Sequence, residues 1–346
     1  MSTPTVHRRT LLAGLLGVTT LGLAGCGDAA ANELAAAAPL PSTVPPDTKL
    51  SIAIHPTQVA LQASGEIGKL PFQVTDWPNL SAGPDIIQGF RARSIDLASN
   101  AGIPPIQAAA INVQARIVGV QTKQKPLYTY ATAPGSGINA ITDLRGKKIG
   151  FSQGQAQGVV VLRTLKEQGL TPKDVRLVAL PSTKFLVGLQ SRQIDVAPLG
   201  EPVLTKYLSE YAKDGAQGIP MTAVDYLTIL WAPAEVLADA AKVAAIRAFI
   251  PFWARSEVWQ YDNGPAWIDA YYVKDQKVTA ADGKRIEAVQ DKPVFPASWD
   301  KAVAWQKESA DLLVEGGFIK PITAEDLFDR RFEKIASESV PAEFRE

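Results

Sequence analysis

Two nearly identical hexapeptides, RSIDLA at residues 93–98 and RQIDVA at residues 192–197, decide the fold of this chain. They begin 99 residues apart, and each closes a series of strand and helix patterns that runs in the same order. A solenoid repeat would have a shorter period, roughly 20–50 residues. The pattern therefore predicts an α/β protein with two similar βαβ lobes, each a parallel sheet flanked by helices.

The elements around each hexapeptide follow from apolar periodicity and from the positions of glycine and proline. In the first copy we expect strands at residues 50–54, 72–77 and 95–99, and helices at residues 57–64 and from Pro84 onward. In the second copy we expect strands at residues 148–152, 175–180 and 194–197, and helices at residues 159–168 and 183–190.

Two further apolar runs predict where the chain passes between the lobes. Hinge crossings near residues 130–133 and 230–232 divide the chain into lobe 1, residues 47–132 and 231–346 with the C-terminal helices, and lobe 2, residues 133–230. Residues 234–259 read as one or two helices interrupted at Pro251. We interpret the tryptophans of this region as core and helix–helix contacts: Trp253, Trp259, Trp267, Trp299 and Trp305.

The N-terminus has the pattern of an export signal. Residues 1–25 combine a basic start, which includes Arg8 and Arg9, with an apolar run too short to span a bilayer. The run ends in LAGC, which resembles a bacterial lipobox and predicts a diacylglycerol group, with two acyl chains, on Cys26. The paired arginines leave Sec and twin-arginine export both open. Residues 26–46 are expected to be a flexible tether between lipid and folded body.

Composition excludes several function classes. With 35 basic and 35 acidic side chains, the chain lacks the positive charge of a nucleic-acid binder. Its single cysteine rules out an internal disulfide and a Cys-based zinc cluster, and two histidines are too few for a His-rich metal site. The glycines around Gly154 match neither a P-loop nor a dinucleotide fingerprint. We therefore expect no metal and no cofactor.

The sequence also predicts a ligand site. Parallel sheets bind ligands beyond the carboxyl ends of their strands, where helix N-termini offer unpaired N–H groups to anions. Four strand ends meet that description, and amide side chains add neutral donors there. The predicted ligand-binding residues are His55, Thr57, Gln58, Asn100, Ala101, Gly102, Gly154, Gln155, Ala156, Gln157, Gly200 and Glu201.

Three of these residues have alternative readings that the sequence leaves open. His55 could cap a helix or bond a loop carbonyl, and Asn100 could be a turn residue. Glu201, followed by proline, is typical of a helix start. A carboxylate at the site would repel an anion unless the ligand also carries an amine.

Several segments resemble one known family. SAGPDIIQ at residues 81–88, the hexapeptide at 93–98, ITDLRGKKIG at residues 141–150 and the second hexapeptide with Glu201-Pro202 are similar to ABC-importer binding proteins for aliphatic sulfonates, taurine and nitrate. The resemblance covers roughly residues 47–260. It implies a type II periplasmic-binding-protein fold that closes on its ligand. One departure is Gly154-Gln155, where sulfonate binders usually have serine or threonine after the glycine.

The resemblance implies a function and three rivals. It implies a monomeric, exported lipoprotein, anchored outside the cytoplasm through Cys26, that captures a small organic anion or zwitterion and delivers it to an ABC permease. A ligand-sensing lipoprotein of the same fold is one rival. The others are enzymes, a carbon–sulfur-cleaving desulfinase or a thiamine-pyrimidine synthase. The desulfinase needs a cysteine nucleophile and the synthase a Cys-rich segment, whereas Cys26 lies outside the expected folded body, so we expect no catalysis.

Overall fold

The computed structural model describes residues 34–35 and 37–346. The predicted signal peptide, Cys26 and the first part of the predicted tether lie outside this range. Within it, no helix combines the length and the apolar character needed to cross a bilayer.

The first lobe contains a five-stranded mixed sheet in the order β2-β1-β3-β10-β4. Strand β1 pairs in parallel with β2 and β3, whereas β10 runs antiparallel to β3 and β4. The elements before the first crossing are β1 (Lys49–Ala53), α1 (His55–Ala63), β2 (Gln73–Asp76), α2 (Gly83–Arg91), β3 (Leu97–Ala101), α3 (Ile103–Ala110) and β4 (Ala115–Thr122).

The second lobe repeats this arrangement with the order β7-β6-β8-β5-β9. Its elements are β5 (Tyr128–Thr132), β6 (Lys148–Phe151), α4 (Ala156–Glu167), β7 (Arg176–Ala179), α5 (Phe185–Gln190), β8 (Val196–Gly200), α6 (Val203–Tyr211) and β9 (Gly218–Pro220). Strand β5 is antiparallel to β8, as β10 is to β3. The predicted two α/β lobes are confirmed, with mixed instead of purely parallel sheets.

The remaining chain returns to the first lobe. It forms β10 (Leu227–Pro233), α7 (Ala234–Leu237), α8 (Ala240–Asp262), α9 (Gly264–Trp267), a π-helical segment (Ile268–Asp275), α10 (Ala280–Glu287), α11 (Asp300–Glu315) and α12 (Ile335–Glu338). Pro251 lies inside α8, so the predicted interruption there is wrong. The break falls before α8, where the Asp239 carboxylate accepts hydrogen bonds from the first turn.

The repeated hexapeptides make matching contacts in the two lobes. Arg93 and Arg192 both adopt left-handed backbone angles, with φ of 55° and 57°. The aspartate three residues later accepts a backbone N–H from the lobe's first strand, Ser51 N to Asp96 at 2.9 Å and Lys148 N to Asp195 at 2.8 Å. Each hexapeptide thus fixes the turn and joins the third strand of its lobe to the first.

The two crossings lie one strand away from their predicted positions. Strand β5 belongs entirely to the second sheet and β10 entirely to the first, so the chain crosses at residues 123–127 and 221–226. The predicted lobe boundaries at 132/133 and 230/231 are therefore wrong. An apolar strand has to pair along its whole length to satisfy its backbone groups, so the segment before it spans the lobes. The crossing segments are joined by a hydrogen bond from Lys123 N to Tyr226 O at 2.8 Å.

The described part of the predicted tether packs on the first lobe. Leu34 N donates to Ala238 O at 2.6 Å, and Arg331 Nη1 donates to Ala38 O at 3.1 Å. Leu40 and Val44 lie against the main core. Residues 34–35 and 37–46 are therefore held to the body, contrary to the expectation of a flexible tether, because their scattered apolar side chains find partners there.

The second crossing contains a buried carboxyl group. Asp225 is 4% exposed, and its Oδ2 has no hydrogen-bond partner in the part of the chain that the structure describes. Burial raises the pKa of Asp225 to about 7, although the nearby charges of Lys123 and Arg163 act in the opposite direction. The ionised form is therefore costly in the folded protein.

This burial predicts a pH-dependent stability. The carboxyl group binds its proton more tightly in the folded state, so its contribution is fully present below about pH 4 and is lost as pH rises to about 7. Asp225→Asn should match the parent near pH 4 and gain on the order of 2–4 kcal/mol of unfolding free energy at pH 8. Urea unfolding at both pH values measures this, with the exposed Asp214→Asn as control. An equal difference at both pH values would contradict the assignment.

Candidate functional site

A cavity of about 890 Å³ lies between the two lobes. The carboxyl ends of β1 and β3 bound it on one side and that of β8 on the other, where parallel strands leave room for a ligand. Both lobes therefore contribute to its wall, and a molecule inside would contact both.

Eight of the twelve predicted ligand-binding residues line this cavity. They are His55, Asn100, Ala101, Gln155, Ala156, Gln157, Gly200 and Glu201. The chain brings them together from strand ends that are up to about 146 positions apart in sequence, from His55 to Glu201.

The other four predicted residues lie behind the cavity wall. Thr57 is fully buried inside α1, and Gln58 faces His55, with its Oε1 3.4 Å from His55 Nδ1. The carbonyl of Gly102 accepts a hydrogen bond from Gln306 at 2.6 Å, and Gly154 packs against Gln107 of α3. These positions follow the strand ends in sequence, but Thr57 is directed into the core and Gly154 toward α3 of the opposite lobe.

Gln155 is held by two neighbours. Its Oε1 accepts hydrogen bonds from Ser152 Oγ at 2.5 Å and from the Ser182 backbone N–H at 2.9 Å. Because a backbone N–H can only donate, this contact fixes which end of the amide is oxygen. The Gln155 NH₂ group remains as a donor at the cavity wall.

Asn100 connects the cavity wall to the core. Its Oδ1 accepts the indole N–H of Trp231 at 2.9 Å, and its Nδ2 donates to Ser81 O at 3.1 Å. Trp231 is fully buried, so its N–H depends on this partner. Asn100 therefore positions the loop at Ser81, which also lines the cavity, and keeps one amide hydrogen for a ligand.

His55 is paired with a carboxylate from the C-terminal region. Its Nε2 lies 2.9 Å from Asp275 Oδ1, at the end of the π-helical segment. This contact orients the imidazole at the start of α1 and joins that helix to the segment packed over it.

Two helices present uncapped N-termini to the cavity. No side chain caps the first turn of α1 or of α4, and the residues that open these helices line the cavity. Unpaired backbone N–H groups and the positive dipole end at a helix N-terminus favour oxyanions. One such terminus comes from each lobe, so an anion between them would be attracted to both.

Sequence reasoning missed the third wall of the cavity. It comes from the first crossing and the C-terminal helices, whose side chains follow no strand end and gave no site signal. The cavity-lining residues of this wall include Lys123, Glu257, Trp267, Tyr271, Tyr272, Glu287 and Asp291. The interpretation of Trp267 as a core contact therefore holds only in part, because it is 4% exposed but faces the cavity.

Two curated relatives share sequence with this chain. An aliphatic sulfonates-binding protein of Escherichia coli is 28% identical over 134 residues, 39% of this chain and 42% of the relative. One of Bacillus subtilis is 24% identical over 270 residues, 76% of this chain and 78% of the relative. The match thus spans less than half of the E. coli protein. A family described as NMT1/THI5 like matches residues 94–227. The resemblance predicted from the sequence is confirmed.

Solved structures agree on the fold. The alkanesulfonate-binding protein SsuA from Xanthomonas axonopodis pv. citri, bound to MOPS, superposes with a TM-score of 0.69 at 18% identity, covering 88% of this chain and all of that one. The desulfurization enzyme DSZB gives a TM-score of 0.53 at 14% identity over 85% of this chain and 98% of its own. This chain has a type II periplasmic-binding-protein fold, which binding proteins and at least one enzyme share.

One of the ion pairs that bridge the lobes lies beside the cavity. Glu201 at the end of β8 lies 3.3 Å from Arg285 of α10, which also contacts Thr205. Helix α10 packs on the first lobe through the π-helical segment, so this contact ties the two lobes together. The Arg285 side chain is about half exposed, and such pairs contribute roughly 0–1 kcal/mol.

Arg285→Gln should therefore shift the lobes toward wider separation, changing the ratio of closed to open molecules by up to about fivefold. Small-angle X-ray scattering should record a larger radius of gyration than for the parent. Arg176→Gln, exposed on β7, is the control and should leave it unchanged. A radius equal to the parent's in the Arg285 variant would show that this ion pair does not hold the lobes.

Proposed function

We propose that this chain is an extracytoplasmic solute-binding protein that captures a small organic anion by lobe closure and delivers it to an ABC importer permease. The observation that carries the proposal is the cavity between the lobes, with an uncapped helix N-terminus from each side. The names of the two curated relatives favour a sulfonate over nitrate as the anion.

The proposed mechanism follows from contacts to both lobes. A ligand held by α1 and α4 together interacts with more of the protein in the closed state than in the open one. Only this difference in affinity can drive closure. Changing the ratio of closed to open molecules from 1:99 to 99:1 requires about 5.5 kcal/mol. The ligand contacts in this proposal are the eight cavity-lining residues named above, with the Gln155 NH₂ group and the helix N–H groups as donors.

The alternative function is that of an enzyme, because the desulfurization enzyme DSZB has a similar fold. The chain's only cysteine is Cys26, within the predicted lipobox, and His55 pairs with Asp275 instead of a serine. A nucleophile activated by a neighbouring base is therefore missing from the described cavity wall. A ligand-sensing lipoprotein would bind its ligand in the same way, and co-purification with an ABC permease distinguishes the two.

A thermal-shift screen of the exported chain tests the proposed ligand class. Alkanesulfonates, taurine and other amino-sulfonates at 100 times their dissociation constant should stabilise the folded state by about 2.7 kcal/mol, because they bind it alone. Sulfate-free buffer with sodium chloride is the control for ionic strength. A melting temperature unchanged across the whole panel would exclude this ligand class.

The membrane anchor is tested by one substitution. Cys26→Ala removes the proposed acylation site, and since two acyl chains are needed for stable anchoring, the variant should leave the membrane fraction. Fractionation of cells followed by detection of the folded domain measures this. A Ser42→Ala variant in the chain's N-terminal segment should stay with the membranes. Retention of Cys26→Ala there would refute lipid anchoring.

A further inference from the structure

The third wall of the cavity is aromatic and acidic. Trp267 and Tyr271 stack with ring centroids 4.5 Å apart and planes within 4°, and Tyr272 meets Tyr271 edge-on at 5.2 Å. All three rings line the cavity beside four carboxylates. Among the described lining residues there is one lysine, Lys123, and no arginine. This wall therefore favours a positive charge, whereas the helix N-termini favour a negative charge.

Two of the four carboxylates are already engaged by the protein. Glu201 accepts from Thr205 Oγ1 at 2.7 Å and pairs with Arg285. Asp291 accepts the backbone N–H groups of Gln124 and Lys125, the latter at 2.9 Å, and so holds the first crossing segment. Both carboxylates are therefore already compensated by donors of the protein.

The negative charges of the other two carboxylates, Glu257 and Glu287, are stabilised by few protein contacts. Glu287 Oε2 is buried and has no hydrogen-bond partner within the described chain, although Tyr272 interacts with the same carboxyl group. Glu257 accepts a long hydrogen bond from Gln260 at 3.4 Å and interacts with Gln121. Burial raises the pKa of both groups, which Lys123 partly offsets for Glu257. A buried carboxylate in this condition is stabilised by any cation that reaches it.

The aromatic rings and these two carboxylates belong to the same wall of the cavity. Burial, Asp275 and Glu257 together raise the pKa of Tyr271 to about 12, and Glu287 contributes to the raised pKa of Tyr272. Glu257 and Glu287 therefore act electrostatically on the ring cluster, and all five residues line the same cavity. Aromatic faces flanked by carboxylates attract alkylated ammonium groups, whose charge is easily desolvated.

We propose that the ligand is a zwitterion whose alkylated ammonium group lies against Trp267, Tyr271 and Tyr272, facing Glu257 and Glu287, while its sulfonate lies at the N-termini of α1 and α4. This inference rests on the proposed function and narrows its ligand class. An ammonium group removes the repulsion between an anion and the acidic wall.

Two ligands of equal shape test the ammonium directly. Trimethylammonio-propanesulfonate and trimethylsilyl-propanesulfonate differ in whether the atom carrying the three methyl groups is charged nitrogen or neutral silicon. Calorimetric titration of the exported chain should give a dissociation constant at least about tenfold lower for the ammonium compound. Equal affinities, or tighter binding of the silyl compound, overturn this inference and leave the proposed function in place. Binding of neither compound also overturns this inference, whereas the proposed function is overturned only if the whole thermal-shift panel gives no response.

A matched pair of variants locates the ammonium. Glu257→Gln with Glu287→Gln keeps the shape of the wall and removes its charge, so the affinity ratio should fall from about tenfold toward one while the silyl compound binds at least as well. Glu315→Gln, exposed at the end of α11, should keep the parent ratio. An unchanged ratio in a folded double variant, verified by its melting curve, overturns the assignment to this wall.

Discussion

The whole arrangement depends on two chain crossings that lie side by side. The segments at residues 123–127 and 221–226 are hydrogen-bonded to each other, so the chain passes between the lobes twice at one place, and the proposed closure is a rotation about it. The same joint turns the carboxyl ends of β1, β3 and β8 toward a common cavity. Everything that the cavity can bind follows from this placement, including the N-termini of α1 and α4 that face it from opposite lobes.

The repeated units and the C-terminal chain contribute different chemical groups to the cavity walls. The repeated units supply backbone N–H groups and the fixed amides of Asn100 and Gln155, which suit an anion without burying a permanent positive charge. The C-terminal helices supply aromatic rings and carboxylates. In the proposed function the two lobes bind the anion together, and the segment outside the repeat contacts the rest of the ligand.

Features that depend on residues close in sequence were predictable, whereas features that depend on distant segments were not. The repeated hexapeptides carry their own turn and strand contacts, through Arg93, Asp96 and their counterparts, so the two-lobe fold was predictable. The crossings were misplaced by one strand because strand pairing between distant segments decides which sheet an apolar run joins. Thr57 and Gly154 do not line the cavity, because the position of a residue after a strand end does not fix the direction in which it faces. The wall formed by Trp267 and Glu287 depends on tertiary packing alone.

The central claim is that a ligand holds the two lobes together, and the distance between the lobes tests it most directly. Pulsed electron-spin measurements between one exposed label on α6 and another on α12 would report that distance with and without trimethylammonio-propanesulfonate. The account predicts a shorter and narrower distance distribution at saturating ligand. Binding that is demonstrated by calorimetry but leaves the distribution unchanged would contradict it.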